Sequence, residues 1–271
     1  IVDRLVGSEM CIRDSSWGVR NLSMTIPGPE TGGILLVEGG KRAGLALCRE
    51  MLCEEIYAGR PVHWIDGGMS LDPSALIRPL SDRGRTPSSL SLLRTCRAFT
   101  AHQMHELVSR LERDLLVFED GGDVRLVVLS DLASMFADSQ VKKAEGIAML
   151  ESCLRMSKEV AEKKGLLVVI TVVRRRSPPL PKTMISAMRE QADDRISLIS
   201  YGRGEMTARL DSLGVTVRPL SNRTPYPRLS DFTGEAQSSR EVCTEPPLES
   251  LSSDSPNGDS KDDAARSASA S

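Results

Sequence analysis

Apolar positions along the chain fall into short runs separated by stretches of helical spacing. The runs at 33–38, 62–66, 92–97, 124–130, 166–173, 196–201 and 214–218 are the strand candidates. Several are almost unbroken, among them Leu126-Val127-Val128-Leu129 and Leu166-Leu167-Val168-Val169-Ile170. A strand covered on both faces has no polar side to alternate with, so such runs predict a mainly parallel sheet between layers of helix. In between, Leu45, Cys48, Leu52 and Ile56 recur at helical spacing, as do Met104, Leu107, Val108 and Leu111, and then Ile147, Leu150, Leu154 and Ser157. Alternation of the two patterns over 32–220 predicts an α/β domain, a mainly parallel twisted sheet flanked by helices.

Both ends depart from this pattern. Residues 1–15 (IVDRLVGSEMCIRDS) read as translated sequencing adapter and are expected to be an artefact, with 16–31 leading into the core. Within the core, Gly84 and Thr86-Pro87-Ser88-Ser89 predict an exposed loop. From Ser221 the periodicity stops, and 221–271 is expected to be a linker and tail. Residues 235–271, rich in Ser, Asp, Pro and Ala, bury too little apolar surface to offset the entropy of ordering.

Composition narrows the classes. Hydrophobic residues make up 40% of the 271 but aromatics only 3%, so aliphatic side chains must fill the core. Net charge is −2; the segment from Glu235 holds eight acidic and three basic residues, so the remainder carries +3 and an acidic tail masks a mildly basic body. Six cysteines (Cys11, Cys48, Cys53, Cys96, Cys153, Cys243) form no C-x-x-C pair and read as buried thiols of a reducing compartment. With three histidines beside them, no structural metal site is expected. No apolar run reaches the ~20 residues that span a bilayer. The expectation is a cytoplasmic protein without a membrane partner.

One stretch carries candidate chemistry. Gly39-Gly40-Lys41-Arg42-Ala43-Gly44-Leu45-Ala46 follows the first apolar run and opens a helical pattern. Gly39 and Gly44 have the spacing of a phosphate-binding loop, G-x-x-x-x-G-K-[ST]. Leu45, however, stands where a lysine reaches the phosphates, and Ala46 where a hydroxyl holds Mg²⁺. Two readings are open: a nucleotide site using Gly39, Lys41 and Gly44 from new positions, or a tight strand-to-helix turn with two solvated basic residues.

Further segments follow in order: Val62-His63-Trp64-Ile65-Asp66-Gly67-Gly68, Arg97-Ala98-Phe99-Thr100-Ala101-His102-Gln103-Met104, and Leu126-Val127-Val128-Leu129-Ser130-Asp131-Leu132-Ala133-Ser134-Met135-Phe136, with Val168-Val169-Ile170-Thr171-Val172-Val173 last. In kind, order and spacing the set resembles the core of the archaeal and eukaryotic RecA-like recombinases, the RadA/RadB group, over roughly residues 30–220. The resemblance implies a RecA-like P-loop NTPase fold, and the chain is more similar to the short RadB-like paralogues. Carried over residue by residue, it implies mostly losses. The loop lysine and hydroxyl fall on Leu45 and Ala46. Asp66 keeps a strand-end aspartate, but the glutamate that activates water falls on Gly68. The Walker B aspartate falls on Ser130, with Asp131 one step later and so, on a continuing strand, on the other face. The family's Thr-Asn-Gln reads Thr171-Val172-Val173. Phosphoryl transfer depends on positioning and charge stabilisation by lysine and Mg²⁺, so losing these groups together predicts no catalytic residue, with ATP and Mg²⁺ kept only as an open question.

The family's second DNA-binding loop begins after the fifth strand. Here that place holds Arg174, Arg175, Arg176 and Lys182 in a Pro-rich segment, suited to phosphate contacts. Arg78, Arg83 and Arg85 form a second basic loop. Neither offers aromatics for base stacking, so non-sequence-specific contact is expected. The resemblance thus implies a DNA repair and recombination accessory protein that binds DNA, a recombinase partner or both. Two alternatives stand beside it: a non-catalytic interaction scaffold, and a DNA-dependent ATPase with a nucleotide site rebuilt around Lys41 and Asp131.

Overall fold

The computed structural model describes residues 17–26, 28–116, 123–174, 176–200 and 205–221, all within one unit, Ile1–Tyr226. The adapter-like segment, the tail after Ser221 and Arg175 lie outside the described residues. In chain order the elements are α1 (Arg20–Thr25), β1 (Gly33–Gly39), α2 (Lys41–Tyr57), β2 (Val62–Asp66), α3 (Ser74–Asp82), a 3₁₀ helix (Pro87–Leu92) and β3 (Leu93–Arg97). There follow α4 (Ala101–Ser109), α5 (Leu111–Leu116), β4 (Leu126–Ser130), α6 (Leu132–Phe136), α7 (Lys143–Lys164), β5 (Leu167–Val173), α8 (Lys182–Gln191), β6 (Asp194–Ser200), β7 (Glu205–Leu210) and β8 (Val215–Ser221).

The eight strands form one sheet in the order β3-β2-β4-β5-β1-β6-β7-β8. The first six are parallel, and β7 and β8 extend the sheet as an antiparallel pair. Along each central strand the side chains alternate between two cores. Leu35, Val37, Val62, Trp64, Leu126, Val128, Leu167 and Val169 join one core with α2 and α3. Ile34, Leu36, Ile65, Val127, Leu129, Val168 and Ile170 join the other with α4, α7 and α8. Each fully buried aliphatic side chain contributes about 1.5–3 kcal/mol, so two covered faces make the strand sequences nearly continuous in apolar character.

Helix ends follow local chemistry. Thr100 accepts the Gln103 N–H at 3.2 Å, and the Gln103 side chain accepts the Phe99 N–H at 2.9 Å, closing a reciprocal cap on α4. Ala98, Ala101 and Met104 are buried beneath it. The Arg97–Met104 segment therefore builds a helix start. α7 carries Lys163 and Lys164 in its last turn, where they complement the helix dipole, and stops at Gly165 in the left-handed region (φ 63°).

Three details go beyond expectation. β7 was hidden, because Glu205-Met206-Thr207-Ala208-Arg209-Leu210 has too few apolar residues to form a run; Ala208 and Leu210 nonetheless reach the core. The exposed segment after Gly84 holds a 3₁₀ helix, with Pro87 at its first position. The lead-in is part of the core: Trp17, Leu22 and Ile26 are at most 1% exposed. No helix among the described residues is long and apolar enough to cross a membrane.

Candidate functional site

Parallel pairing brings the ends of β1, β2, β4 and β5 to one edge of the sheet. Gly39 lies opposite Val173, and Asp66 opposite both Ser130 and Arg97. In layered α/β sheets, the crevice outside the carboxyl ends of the strands is where ligands bind. Of the residues singled out from the sequence, Gly39, Lys41, Asp66, Asp131 and Arg174 lie at or directly after these strand ends.

The glycine frame does not form an open loop. β1 ends at Gly39, Gly40 is the extended N-cap residue, and α2 is already helical at Lys41. The Gly44 N–H donates to the Gly40 carbonyl at 3.1 Å as a helical bond. Gly39 has a packing reason: a Cβ there would lie 2.8 Å from Leu198 Cβ and 3.0 Å from its carbonyl oxygen, on β6. Leu45 packs against the core shared by α2 and α3. Between the end of β1 and the start of α2 the backbone is therefore one linking residue, Gly40, followed by helix. Lys41 reaches away from the turn, its Nζ donating to the Gly68 carbonyl at 3.2 Å.

Asp66 is 1% exposed and fully engaged. Oδ1 accepts from the Gly68 N–H at 3.1 Å and the Ser130 hydroxyl at 2.8 Å. Oδ2 accepts from the Ser70 and Leu71 N–H groups at 2.7 and 3.0 Å, and Arg97 stands 3.7 Å from it. A carboxylate offers about four acceptor positions, and these four donors take them. Asp66 is therefore the organiser of the turn after β2. Ser130, where the resemblance implies an aspartate, completes the network by accepting the Trp64 indole N–H at 2.9 Å while donating to Asp66. An aspartate in its place would set two carboxylates in contact.

Asp131 does not lie on the far face of a strand. β4 ends at Ser130, and Asp131 takes a left-handed conformation (φ 58°). Its N–H donates to Thr171 Oγ1 at 3.0 Å, and its carboxylate accepts from the Ser134 hydroxyl. A Cβ on Gly68 would lie 2.7 Å from Asp131 Oδ2 and 2.9 Å from Ser70 Oγ, so Asp131 occupies the space a glutamate at 68 would need. Lys41 and Asp131 thus both border Gly68. The described residues do not fit a Mg²⁺–nucleotide group of the expected kind: Leu45 and Ala46 stand where the loop lysine and hydroxyl would, Lys41 is turned to the Gly68 carbonyl, and the strand-end carboxylate is saturated.

The basic segment after β5 is only partly free. The Arg174 N–H donates to the Gly39 carbonyl at 2.9 Å, and its side chain, 47% exposed, approaches Glu38. Arg176 is half-buried, and Lys182 is exposed at the first position of α8. The second basic loop is largely committed to structure. Arg83 pairs with Glu50 at 2.8 Å and Glu54 at 3.2 Å, and Arg85 donates to the Tyr57 carbonyl with its guanidinium 5.6 Å from the Tyr57 ring centre; Arg78 is exposed.

Sequence reasoning passed over Glu38. It is buried on β1 among Arg174, Arg189 and Arg195, and the one visible signal was a lone acidic residue ending an apolar run. Phe99 and Met69 also went unnoticed: both are 66% exposed, on the connections after the neighbouring strands β3 and β2. A cavity of about 340 Å³ lies at the opposite edge of the sheet, among Glu30, Gly33, Asp193, Asp194 and Ser212. It has no part in the convergence described above.

Three cysteines and one histidine are shifted strongly by burial. Desolvation pushes the Cys48, Cys53 and Cys153 thiols up to about 12. It pulls His63 down to about 4, so this imidazole is neutral at physiological pH. Among the described residues no group of His, Cys, Asp and Glu is arranged to hold a metal ion. Compared with models of known protein families and with curated proteins, the sequence matches none of them.

Proposed function

We propose that this chain has a RecA-like core of the RadA/RadB kind that binds nucleic acid without hydrolysing ATP, and that it serves as an accessory protein in DNA repair or recombination. The observation that carries the non-hydrolytic part is the closed Trp64–Ser130–Asp66 network. The position expected to support Mg²⁺ is occupied by a hydroxyl that the strand-end aspartate itself needs. Losses of this kind are integrated into the packing, as are Leu45, half-buried against the core, and Gly68 beside Asp131.

The nucleic-acid part is supported by charge at the same edge. Arg174, Arg176 and Lys182 follow β5, and Lys41 and Arg42 open α2 with exposed side chains. The nearest strand-end carboxylates, Glu38 and Asp66, are buried and paired. Such an arrangement favours backbone phosphate over base edges and gives salt-sensitive, sequence-tolerant binding. The test is fluorescence anisotropy with labelled single- and double-stranded DNA over a salt series. Binding that weakens with salt, and weakens further in Arg174→Ala/Arg176→Ala/Lys182→Ala, is the expected result. Salt-insensitive binding, or none, removes the proposal.

A second reading, the interaction scaffold, is favoured by Phe99 and Met69. Two large apolar side chains exposed on adjacent connections suit a protein partner. Loss of a recombinase or repair partner on Phe99→Ala, with DNA binding unchanged, would select that reading.

A further inference from the structure

At the end of β1 one buried carboxylate faces several guanidinium groups. Glu38 is 1% exposed. Arg189 of α8 grips both of its oxygens, at 2.6 and 2.8 Å. Arg174 approaches through Nε at 3.5 Å and Arg195 at 3.9 Å. Arg195 is shared with Asp211, which also faces Arg209 at 3.9 Å. Two carboxylates therefore stand against four arginines, with Arg176 and Lys182 close by in the chain. Positive charge is in excess, and it is accessible: the Arg174 and Arg189 side chains are 47% and 40% exposed.

The three contacts to Glu38 differ in kind. A charge-assisted N–H···O bond spans about 2.7–2.9 Å. Arg189 meets that standard twice. Arg174 does not: at 3.5 Å it is attracted to Glu38 without a formed hydrogen bond. Its remaining donors, and the outer edge of the Arg189 fork, are left for another acceptor. An anion with several oxygens and more than one negative charge offers both arginines more than Glu38 alone can.

We propose that Arg174 and Arg189, gathered by Glu38, form a clamp for a phosphate-type anion, with Glu38 the built-in competitor that holds Arg174 until such an anion takes it. The ligand class is a phosphate ester or pyrophosphate, supplied by a nucleic-acid backbone or by a free phosphorylated compound. The inference rests on the nucleic-acid reading above only for the macromolecule that delivers the phosphate. Glu38 acts here through the arginines and is a positioning residue.

The test is calorimetric titration of the full chain with inorganic pyrophosphate, alongside anisotropy with a short single-stranded oligonucleotide. Glu38→Gln keeps the side-chain shape and removes one negative charge. It is expected to tighten pyrophosphate binding about tenfold, as for deleting a unit charge some ~6 Å from the anion in a half-solvated setting. A gain in binding does not arise from a damaged fold. Arg174→Ala, at an exposed side chain, is expected to weaken pyrophosphate binding at least about tenfold and decides the matter alone if Glu38→Gln does not fold. Pyrophosphate bound no tighter by Glu38→Gln, or equally well by Arg174→Ala, overturns the clamp. An oligonucleotide bound without competition from pyrophosphate removes the nucleic-acid backbone as the clamp's ligand while leaving the nucleic-acid reading in place. Pyrophosphate bound by a chain that ignores oligonucleotides keeps the clamp and removes that reading.

Discussion

Placing an aspartate at position 130 is expected to damage the fold and confer no chemistry. Ser130 is fully buried, and its hydroxyl lies 2.8 Å from Asp66 Oδ1 while accepting from Trp64. In Ser130→Asp the hydroxyl donor disappears, which costs about 1–3 kcal/mol for the acceptor left unsatisfied. A second carboxylate about 4 Å from Asp66 adds about 4 kcal/mol of repulsion at an effective dielectric of ~20. Together these approach the whole stability of a typical domain, about 5–15 kcal/mol. The pair escapes by holding a proton, so its folded-state pKa lies above the unfolded value. With that sign the deficit is full above the folded pKa and shrinks as pH falls through it. Ser130→Ala, the control, loses only hydrogen bonds, about 1–3 kcal/mol, and lacks this pH response. Urea unfolding followed by circular dichroism, at neutral and at mildly acidic pH and with and without Mg²⁺, measures all of this. A Ser130→Asp protein as stable as wild type at neutral pH, or one stabilised by Mg²⁺ and turning over ATP, would refute the reasoning.

Other expectations follow from single contacts. Gly39→Ala must push β6 away from β1 and is expected to cost about 1–3 kcal/mol in thermal or urea unfolding; an unchanged midpoint means the close approach is not rigid. His63 is neutral in the fold, with its pKa lowered to about 4 from an unfolded value of 6.5. Its stability contribution is complete above pH ~6.5 and is lost as pH falls towards 4, up to about 3 kcal/mol, so the acid limb of stability should flatten in His63→Leu. Arg83→Ala is expected to lower stability by about 1–2 kcal/mol, by losing its ion pairs and its packed stem, while leaving DNA binding unchanged. Alkylation of the native protein followed by mass spectrometry should leave Cys48, Cys53 and Cys153 unlabelled, because burial keeps them as thiols.

The layered α/β plan is legible in the sequence because both faces of the central strands are buried, so Leu126–Leu129 and Leu166–Ile170 appear as unbroken aliphatic runs. β7 is not legible: Ala208 and Leu210, which reach the core, alternate with Thr207 and Arg209, so no apolar run forms. At the candidate site the sequence identifies positions but not partners. Nothing local marks Asp66 as saturated, because two of its five partners, Ser130 and Arg97, come from distant segments. Likewise Asp131, which a continuing strand would put on the other face, leaves that alternation because β4 ends at Ser130 and Asp131 is left-handed. Glu38 is the sharpest case: a single carboxylate after an apolar run gains its meaning only when α8 and β6 bring Arg189 and Arg195 to it.

The central claim, that this sheet edge engages nucleic-acid phosphate without turnover, is tested most directly by the salt dependence of single-stranded DNA affinity. Each phosphate contact contributes about 0.7 to the slope of log K against log salt on single strands. Replacing Arg174, Arg176 and Lys182 together by alanine should therefore lower the magnitude of that slope by about 2, with the unfolding midpoint unchanged and ATP hydrolysis at background in both proteins. An unaltered slope, or hydrolysis stimulated by DNA, contradicts the account.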